Sequence, residues 1–325
     1  MAVAARDLTK HFYKNGLVRT ALDSVSFSVG DRERLVILGP SGAGKTTLLR
    51  VIAGLERADE GALFIDDRDA GGLPPEDRRV AIVFDRDGLF PHLTLRQNLA
   101  FALRGDRSGN DRIEAAAHAL GITAHLHKRP GELSAGERQR ASLARAMLSD
   151  PRVLLLDEPL SHLEPSLRAQ VRRTFLAFSN SFGGAVVHVT HDHAEALTSG
   201  DKLAVMIGGK ILQCDAPQRV YDYPANTSVA KFFGTPPMNL IDDGMETLGI
   251  RPENVRLQNG GSLRGRVIAV ESTGADAFVR METPRGELIA RIPAAAVPRV
   301  GEEIAATLPQ EHVRRFDRTG GTWIA

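Results

Sequence analysis

The segment Gly39-Pro40-Ser41-Gly42-Ala43-Gly44-Lys45-Thr46-Thr47 decides which fold this sequence can adopt. From Gly39 to Thr46 it fits the pattern G-x-x-x-x-G-K-[ST], whose glycines let successive backbone N–H groups point at one anion. The apolar run Leu35–Leu38 predicts a strand before the loop, and Lys45–Ala53 predicts a helix after it. This order predicts a nucleotide-phosphate site, in which Lys45 reaches the β- and γ-phosphates and the Thr46 hydroxyl ligates Mg²⁺. A glycine-rich turn before a helix is the alternative.

The composition is that of a globular protein, and a length of 325 residues suggests two domains. Apolar residues make up 42% of the chain, enough to build a full hydrophobic core. The 41 basic and 40 acidic residues leave a formal net charge of +1, which argues against nucleic acid as a partner. Cys214 is the only cysteine, so no internal disulfide can form. We expect neither a signal peptide nor a membrane span, because the apolar runs are short.

Short apolar strands alternate with helical stretches up to about residue 235. This rhythm predicts an α/β domain over residues 1–235 with a largely parallel sheet. A helical pattern between Thr94 and Ser149 predicts a helical subdomain at about residues 86–150, with Thr94, Asn110 and Ser134 as N-caps and 105–110 as a polar loop. The predicted strands are Ser24–Val29, Leu35–Leu38, Ala62–Ile65, Ala81–Phe84, Val153–Leu156, Ala185–Thr190 and Lys202–Ile207.

The character of the sequence changes after Thr235-Pro236-Pro237, which predicts a domain boundary there. Beyond it, apolar and polar residues alternate between Gly and Pro turns, as is typical of half-buried strands. The predicted strands are Ser262–Glu271, Ala277–Glu282, Glu287–Ile292 and Glu303–Leu308. We therefore predict a small β-rich domain over residues 236–325.

Two carboxylates follow the apolar run Val153–Leu156. In a parallel sheet the carboxyl end of such a strand lies beside the phosphate loop. Asp157 would hold Mg²⁺ or its water there, and Glu158 would polarise an attacking water as general base. Alone, the pair is a weak signal, and a helix cap or a surface turn is its usual interpretation. A phosphate loop roughly a hundred residues upstream favours the catalytic interpretation.

The segment Leu133-Ser134-Ala135-Gly136-Glu137-Arg138-Gln139-Arg140 opens another helix. The Ser134 hydroxyl and the N–H groups beside Gly136 predict a second anion site at this helix N-terminus. A capping box between Ser134 and Glu137 is the structural alternative, and the two interpretations are compatible.

Taken together, these motifs resemble the ATPase subunits of ABC transporters, whose signature is usually Leu-Ser-Gly-Gly-Gln. Ala135 and Glu137 depart from that form. The ordered set of motifs is specific, although no single member of it is. The resemblance also covers Ser161-His162-Leu163-Glu164 as the D-loop, Thr190-His191-Asp192 with the switch histidine, and Phe12 at the place of the aromatic that stacks on adenine.

The resemblance implies a P-loop NTPase fold and hydrolysis of ATP with Mg²⁺. Two such subunits would face each other, so that Ser134, Ala135, Gly136 and Glu137 serve the γ-phosphate bound by the partner. His191 would contact the γ-phosphate in its own subunit. Two membrane-spanning permease subunits, a second identical or distinct ATPase subunit and an extracytoplasmic solute-binding protein are the implied partners. The implied location is the cytoplasmic face of the inner membrane.

Some positions depart from the family pattern. Asp85 stands where the family has a glutamine that contacts Mg²⁺ and the attacking water, and Glu164 stands where the D-loop usually ends in Asp. An Asp at position 85 is still able to bind Mg²⁺, but its charge would be repelled by the other carboxylates and the phosphates. Tyr13 is the alternative to Phe12 as the stacking ring.

Three histidines, at positions 188, 191 and 193, suggest a metal site at first sight. A continuing strand would put His188 and His191 on opposite faces, so their side chains would not converge. We therefore predict no metal held by these histidines.

The C-terminal region is similar to that of sugar-importer ATPases of the maltose type. The similarity rests on residues 232–240, 248–254 and 315–321, and it implies an OB-like regulatory (TOBE) domain. Only Ile241–Thr247 separates the first two stretches, so part of the first OB-like lobe is predicted to be missing. The resemblance implies a carbohydrate importer, with an iron, polyamine, sulfate or phosphonate importer as alternatives. A weakly active half of a heteromeric pair and a soluble ABC ATPase are the rival interpretations.

Overall fold

The chain folds into two units, Met1–Pro217 and Gln218–Ala325. The structure is a computed structural model that describes residues 1–84, 88–103, 109–160, 163–258 and 260–324. None of the helices in these ranges combines the length and the hydropathy that crossing a lipid bilayer requires.

The first unit is an α/β fold with two sheets. Its strands are β1 (Val3–Lys14), β2 (Leu17–Val29), β3 (Arg34–Leu38), β4 (Glu60–Ile65), β5 (Arg68–Asp69), β6 (Val80–Val83), β7 (Val153–Asp157), β8 (Ala185–Thr190), β9 (Lys202–Ile207) and β10 (Lys210–Asp215). Its helices are α1 (Lys45–Ala53), α2 (Leu95–Phe101), α3 (Gly109–Ala119), α4 (Ala135–Leu148), α5 (Pro165–Ser181) and α6 (His193–Ser199).

The central sheet has the order β10-β9-β3-β8-β7-β6. β9, β3, β8, β7 and β6 run parallel, and β10 pairs antiparallel with β9. β3, β7 and β8 are almost wholly buried, as expected for strands that helices cover on both faces. Because parallel strands end at one edge, the loops after Leu38, Asp157 and Thr190 meet there. The prediction of a largely parallel sheet is confirmed.

A second, antiparallel sheet has the order β2-β1-β4-β5 and was not predicted. Its long hairpin places Phe12 opposite Arg19. β1 shows no simple alternation of buried and exposed residues, because bulges interrupt its pairing with β2. Because of these bulges the sequence of β1 lacks the alternation of apolar and polar residues that predicts a strand.

The helical part packs through Leu95, Leu99, Ile113 and Leu143 into a core that it shares with strands of the central sheet, among them Leu154 and Leu156 of β7. Helix α2 begins at a capping box in which the Thr94 hydroxyl accepts from the Gln97 N–H. The N-cap predictions at Thr94 and Ser134 are confirmed. The prediction at Asn110 is wrong, because α3 already begins at Gly109. Most of the loop predicted at 105–110 lies outside the described residues.

The second unit contains two antiparallel sheets of order β11-β12-β18-β19 and β13-β17-β14-β15-β16. The four predicted strands form, and further short strands from both ends of the region build the other sheet. The elements are α7 (Pro217–Asp222), α8 (Thr227–Phe232), β11 (Asn239–Asp242), β12 (Glu246–Ile250), β13 (Arg256–Leu257), β14 (Leu263–Ser272), β15 (Asp276–Thr283), β16 (Gly286–Pro293), β17 (Glu303–Thr307), β18 (Arg314–Asp317) and β19 (Trp323–Ile324).

The second unit begins at Gln218, earlier than the boundary predicted after residue 235. Helix α8 belongs to it because buried Arg251 donates to the backbone carbonyl oxygens of Tyr221 and Phe233. The Arg251 guanidinium also lies 3.9 Å from the centroid of the Tyr221 ring. The Pro-Pro pair in the sequence gives no sign of these contacts, because Arg251 is 18 positions from Phe233 and 30 positions from Tyr221.

Candidate nucleotide-binding site

Two glycines of the loop between β3 and α1, Gly39 and Gly44, lie so close to neighbouring strands that any larger residue would displace the backbone. Gly44 has φ 99°, in the left-handed region, and a Cβ on it would lie 2.2 Å from the carbonyl oxygen of Ala21. A Cβ on Gly39 would lie 2.2 Å from the carbonyl oxygen of Met206. The loop backbone is therefore pressed against β2 and β9, and α1 starts immediately after it with Leu48, Leu49 and Ile52 in the core.

Lys45 is buried at the start of α1. Its ammonium group donates to the carbonyl oxygens of Gly39, at 2.8 Å, and Pro40, at 3.0 Å. Burial lowers the pKa of Lys45, and the charges of Glu158 and Asp157 partly oppose that shift. A cation held inside the loop by backbone carbonyls is placed to meet an anion that enters the loop.

A cavity of about 520 Å³ opens beside the loop. Phe12 lies on its wall and is 37% exposed, whereas Tyr13 is 75% exposed and does not line the cavity. The geometry thus favours Phe12 over Tyr13 as the ring available to a flat ligand. The remaining lining residues are Lys14, Asn15, Leu17, Arg19, Ala21, Gly42, Gly44, Lys45, Thr46 and Thr47.

Two basic residues on this wall, Lys14 and Arg19, were missed by the sequence reasoning. They lie on the β1–β2 hairpin, and no motif marks them. The structure is required to find them because the hairpin folds over the loop. A Cβ on Gly42 would lie 3.5 Å from the Arg19 guanidinium.

The carboxylate end of the site begins at the end of β7, which is separated from β3 by β8. Asp157 is buried there, and the Thr46 hydroxyl donates to its Oδ1 at 3.2 Å. The structure therefore brings together two of the three predicted metal ligands, Thr46 and Asp157, which are 111 positions apart in the chain. Hydroxyl and carboxylate oxygens are the donors that Mg²⁺ prefers.

Glu158 adopts a left-handed backbone conformation, with φ 49°. Its N–H donates to the carbonyl oxygen of Val189 at 3.0 Å, which ties the residue to β8. Its Oε2 lies 3.0 Å from Nδ1 of His191, so the structure also brings together the predicted base and the switch histidine. The His191 side chain is 57% exposed. A non-glycine residue held at positive φ is typical of functional sites.

The three neighbouring histidines do not share one environment. His188 is buried within β8, and burial lowers its pKa. His191 is exposed and contacts Glu158, while His193 is the first residue of α6. No cluster of metal-ligating side chains occurs among the described residues.

Ser134 caps α4 in the manner that the sequence predicted as the structural alternative. Its hydroxyl accepts from the Glu137 N–H at 3.3 Å, and its own N–H donates to Glu137 Oε2 at 2.7 Å. This hydrogen bond lowers the pKa of Glu137, which also lies 3.0 Å from His125 Nε2. Residues 134–137 do not line the cavity at the phosphate loop of this chain.

Two sequence predictions fall where the structure gives no description. Asp85, predicted as a catalytic and metal-binding residue, lies outside the described residues, as do Ser161 and His162 of the predicted D-loop. Glu164 is described and exposed, and its carbonyl oxygen accepts from the Arg168 N–H at 2.8 Å.

A glycine loop between a buried strand and a helix, faced by two carboxylates at the same sheet edge, defines a P-loop nucleotide-binding domain. Comparison with known proteins narrows this class. Residues 22–161 match the family described as ABC transporter, and residues 248–316 match the TOBE domain.

Several relatives match over nearly their full length. The chain is 38% identical to an sn-glycerol-3-phosphate import ATP-binding protein of Rhizobium meliloti, over 92% of this chain and 94% of the relative. It is 35% identical to a diacetylchitobiose uptake system ATP-binding protein of Streptomyces coelicolor, over 99% of both chains. It is 35% identical to a trehalose/maltose import ATP-binding protein of Thermococcus litoralis, over 94% of this chain and 95% of the relative.

A solved structure agrees with these matches. A dimeric ATP-binding cassette in a post-hydrolysis state, bound to ADP and Pi, superposes with a TM-score of 0.61 at 28% identity and covers 66% of this chain and 98% of that chain. The chain therefore belongs to the ABC transporter family, as an ATP-binding protein with a C-terminal TOBE domain.

Proposed function

We propose that this protein is the ATP-hydrolysing subunit of an ABC importer and powers uptake of a small solute, a carbohydrate or a related compound. One observation supports the chemistry above all: Thr46 meets Asp157 and Glu158 meets His191 at the edge where the phosphate loop lies. The relatives named for sn-glycerol-3-phosphate, diacetylchitobiose and trehalose/maltose support the cargo class.

The loop residues Gly39 to Thr47 would hold the nucleotide phosphates, and Lys45 would neutralise the terminal ones. Phe12 would stack on the adenine across the cavity. Thr46, Asp157 and, from the sequence, Asp85 would hold Mg²⁺, which supplies charge neutralisation between the phosphates when bound. The short distance between the Thr46 and Asp157 oxygens supports this donor set.

Glu158 would accept the proton of the attacking water. Its Oε2 lies 3.0 Å from His191 Nδ1, so the carboxylate is held beside the histidine at the catalytic edge. His191 would contact the γ-phosphate through its other ring nitrogen, Nε2. The fixed backbone of Glu158 favours this division of roles, because the side chain starts from one conformation.

The signature segment would act on a second subunit. Ser134, Ala135, Gly136 and Glu137 lie at the start of α4 and do not line the cavity of their own chain, as a site completed in trans requires. The dimeric cassette with ADP and Pi supports an assembly of two ATPase subunits. An extracytoplasmic solute-binding protein and two permease subunits would complete the importer, with this protein at the cytoplasmic face of the membrane.

A groove on the helical part is the proposed contact for a permease segment. It has a volume of about 330 Å³ and includes Phe90, Phe101 and Arg145. Phe101 is 65% exposed, its ring centroid is 4.8 Å from that of Phe90, and the Arg145 guanidinium lies 5.7 Å from the Phe90 ring. An exposed phenylalanine that packs on a half-buried one beside a cation suits a short apolar helix with an acidic residue.

Crosslinking tests this contact in membranes that contain the co-expressed permease. In a Cys214→Ser background, Phe101→Cys should crosslink to the permease, whereas Ile268→Cys, exposed in the second unit, should not. Crosslinks found only at position 268 would refute the proposal.

A weakly active partner in a heteromeric pair is the second candidate. The observation that favours it is Asp85 at the place of the family's glutamine. Isolation of a second, different ATPase subunit with this protein would support the candidate, and a single ATPase species would count against it.

ATP turnover measured against protein concentration tests the main proposal. We expect turnover to rise more steeply than linearly, and Glu158→Gln to abolish turnover while ATP binding persists. Wild-type turnover in Glu158→Gln would refute the role of the base. Binding without turnover, restored by Asp85→Gln, would instead support the heteromeric candidate.

A further inference from the structure

A cluster of polar side chains is buried behind the turn that contains His191. Thr190 is 2% exposed, Glu195 6%, His188 2% and Ser199 3%. No residue of this cluster has a role in the mechanism proposed above. A buried carboxylate costs free energy unless its oxygens are satisfied, so the presence of Glu195 requires an explanation.

The hydrogen bonds of the cluster converge on the turn. The Thr190 hydroxyl donates to Glu195 Oε2 at 2.6 Å and accepts from the Asp192 N–H at 3.0 Å. The Asp192 carboxylate in turn accepts from the Glu195 N–H at 3.0 Å, which caps α6. The residue between Thr190 and Asp192 is His191, so these bonds fix the backbone on both sides of it.

The second oxygen of Glu195 is not satisfied to the same degree. Oε1 lies 3.4 Å from His188 Nε2, and neither atom has a hydrogen-bond partner within the described part of the chain. Capping of α6 needs only the Asp192 side chain, so it does not explain why a carboxylate is buried at position 195. Among the residues that the structure describes, the bond to Thr190 is the one strong contact of the Glu195 carboxylate.

The cluster also borders the reacting groups. A cleft of about 40 Å³ is lined by Glu158 and His191 together with Thr190, Asp192 and Glu195. The His191–Glu158 contact of 3.0 Å and the Thr190–Glu195 hydrogen bond thus border the same cleft. A change in the turn would move His191 relative to Glu158.

We propose that Glu195, acting through the Thr190 hydroxyl, is a positioning residue that fixes the turn of the switch histidine and so its contact with Glu158. This inference rests on the proposed function of His191. In this arrangement Glu195 acts on the Thr190 hydroxyl and not on the reacting groups. Its carboxylate orients the hydroxyl of Thr190, and that hydroxyl holds the Asp192 N–H in place.

Hydroxyl removal at Thr190 is the direct test. Thr190→Val keeps the shape and loses both hydrogen bonds, and Thr190→Ser keeps them. We expect Thr190→Val to lower kcat for ATP on the order of tenfold with KM nearly unchanged, as expected for a misplaced catalytic group. Thr190→Ser should restore kcat, and Glu195→Gln should retain much of it because its amide oxygen still accepts from Thr190.

Thr198→Val serves as the matched control, because its hydroxyl donates to the Ala194 carbonyl oxygen on the exposed side of α6. It should leave kcat unchanged. Urea midpoints for all variants separate loss of fold from loss of positioning. A Thr190→Val protein with wild-type kcat, or with a kcat loss that Thr190→Ser does not recover, would overturn the inference.

A double-mutant cycle with His191→Ala distinguishes positioning from a general structural effect. Single-turnover hydrolysis with the protein in excess resolves the slow rates. If Thr190 acts through His191, Thr190→Val should cause no further loss in the His191→Ala background. If the fold losses of the two single variants multiply in the double variant, the inference is overturned while the proposed role of His191 stands. Wild-type turnover in His191→Ala would overturn that role, and the inference with it.

Discussion

Gly44 in the phosphate loop combines a left-handed backbone with a close backbone approach, so its replacement by alanine adds two physical effects. A non-glycine residue in the left-handed region costs about 1–2 kcal/mol. The new Cβ would also lie 2.2 Å from the Ala21 carbonyl oxygen. Relief of that overlap needs a shift of roughly 1 Å, since heavy atoms pack at about 3.5 Å, and overpacking of this kind costs about 1–3 kcal/mol. Together these terms predict a loss of about 2–5 kcal/mol in the free energy of unfolding for Gly44→Ala.

Two further variants isolate the separate terms. Gly121 has φ 64°, and no described atom would lie within 4 Å of a Cβ placed on it, so Gly121→Ala should show only the conformational cost. A Cβ on Gly39 would lie 2.2 Å from the Met206 carbonyl oxygen, and Gly39 has no left-handed φ, so Gly39→Ala should show only the steric cost.

Urea unfolding and titration with a fluorescent ATP analogue measure these effects. Gly44→Ala and Gly39→Ala should lose nucleotide affinity, because the displaced loop no longer aligns its N–H groups, while Gly121→Ala should bind normally. If Gly44→Ala is no less stable than Gly121→Ala and binds the analogue as the wild type does, the close approach is not what makes the glycine necessary.

Three further outcomes are expected. Burial lowers the pKa of the Lys45 ammonium from its ordinary value of 10.5. As the pH is raised, the ammonium should therefore deprotonate and ATP affinity should begin to fall before pH 10.5 is reached, while the ATP-free fold should gain stability over the same interval. Fluorescence titrations and urea midpoints across the alkaline range measure the two effects. Thr46→Val removes the hydroxyl that faces Asp157, so Mg²⁺ should strengthen ATP binding less than in the wild type, as titrations with Mg²⁺ and with EDTA would measure. Arg251→Met removes the donor to two buried carbonyl oxygens and should destabilise the second unit by about 3–5 kcal/mol. Urea unfolding of that unit can be measured by the fluorescence of Trp323, the only tryptophan of the chain.

Local patterns explain why much of the fold was predictable. The strands that form the parallel sheet are short apolar runs bounded by polar turns, and their pattern survives in the structure because both faces are buried. The strand β1 was missed because bulges break its alternation, and the start of the second unit was missed because the contacts of Arg251 bridge distant residues. Element type follows from neighbours in sequence, whereas unit boundaries depend on packing.

The sequence by itself determined the chemistry available at the site. The glycine loop requires its residue types at fixed spacing, and Lys45, Asp157, Glu158 and His191 were all identified by motif. The motifs placed Thr46 and Asp157 at one metal site, but they did not contain the pairing of Glu158 with His191 or the surroundings of these residues. Only the tertiary structure joined Thr46 to Asp157 and Glu158 to His191, because parallel strands bring their carboxyl ends to one edge.

The same physical reason applies to the residues that no motif marked. Arg19 reaches the cavity because a hairpin folds over the loop, and Glu195 is significant only because it is buried against Thr190. Burial and close approach arise from chain segments that are far apart in sequence, so they were decided by the fold and not by the local pattern.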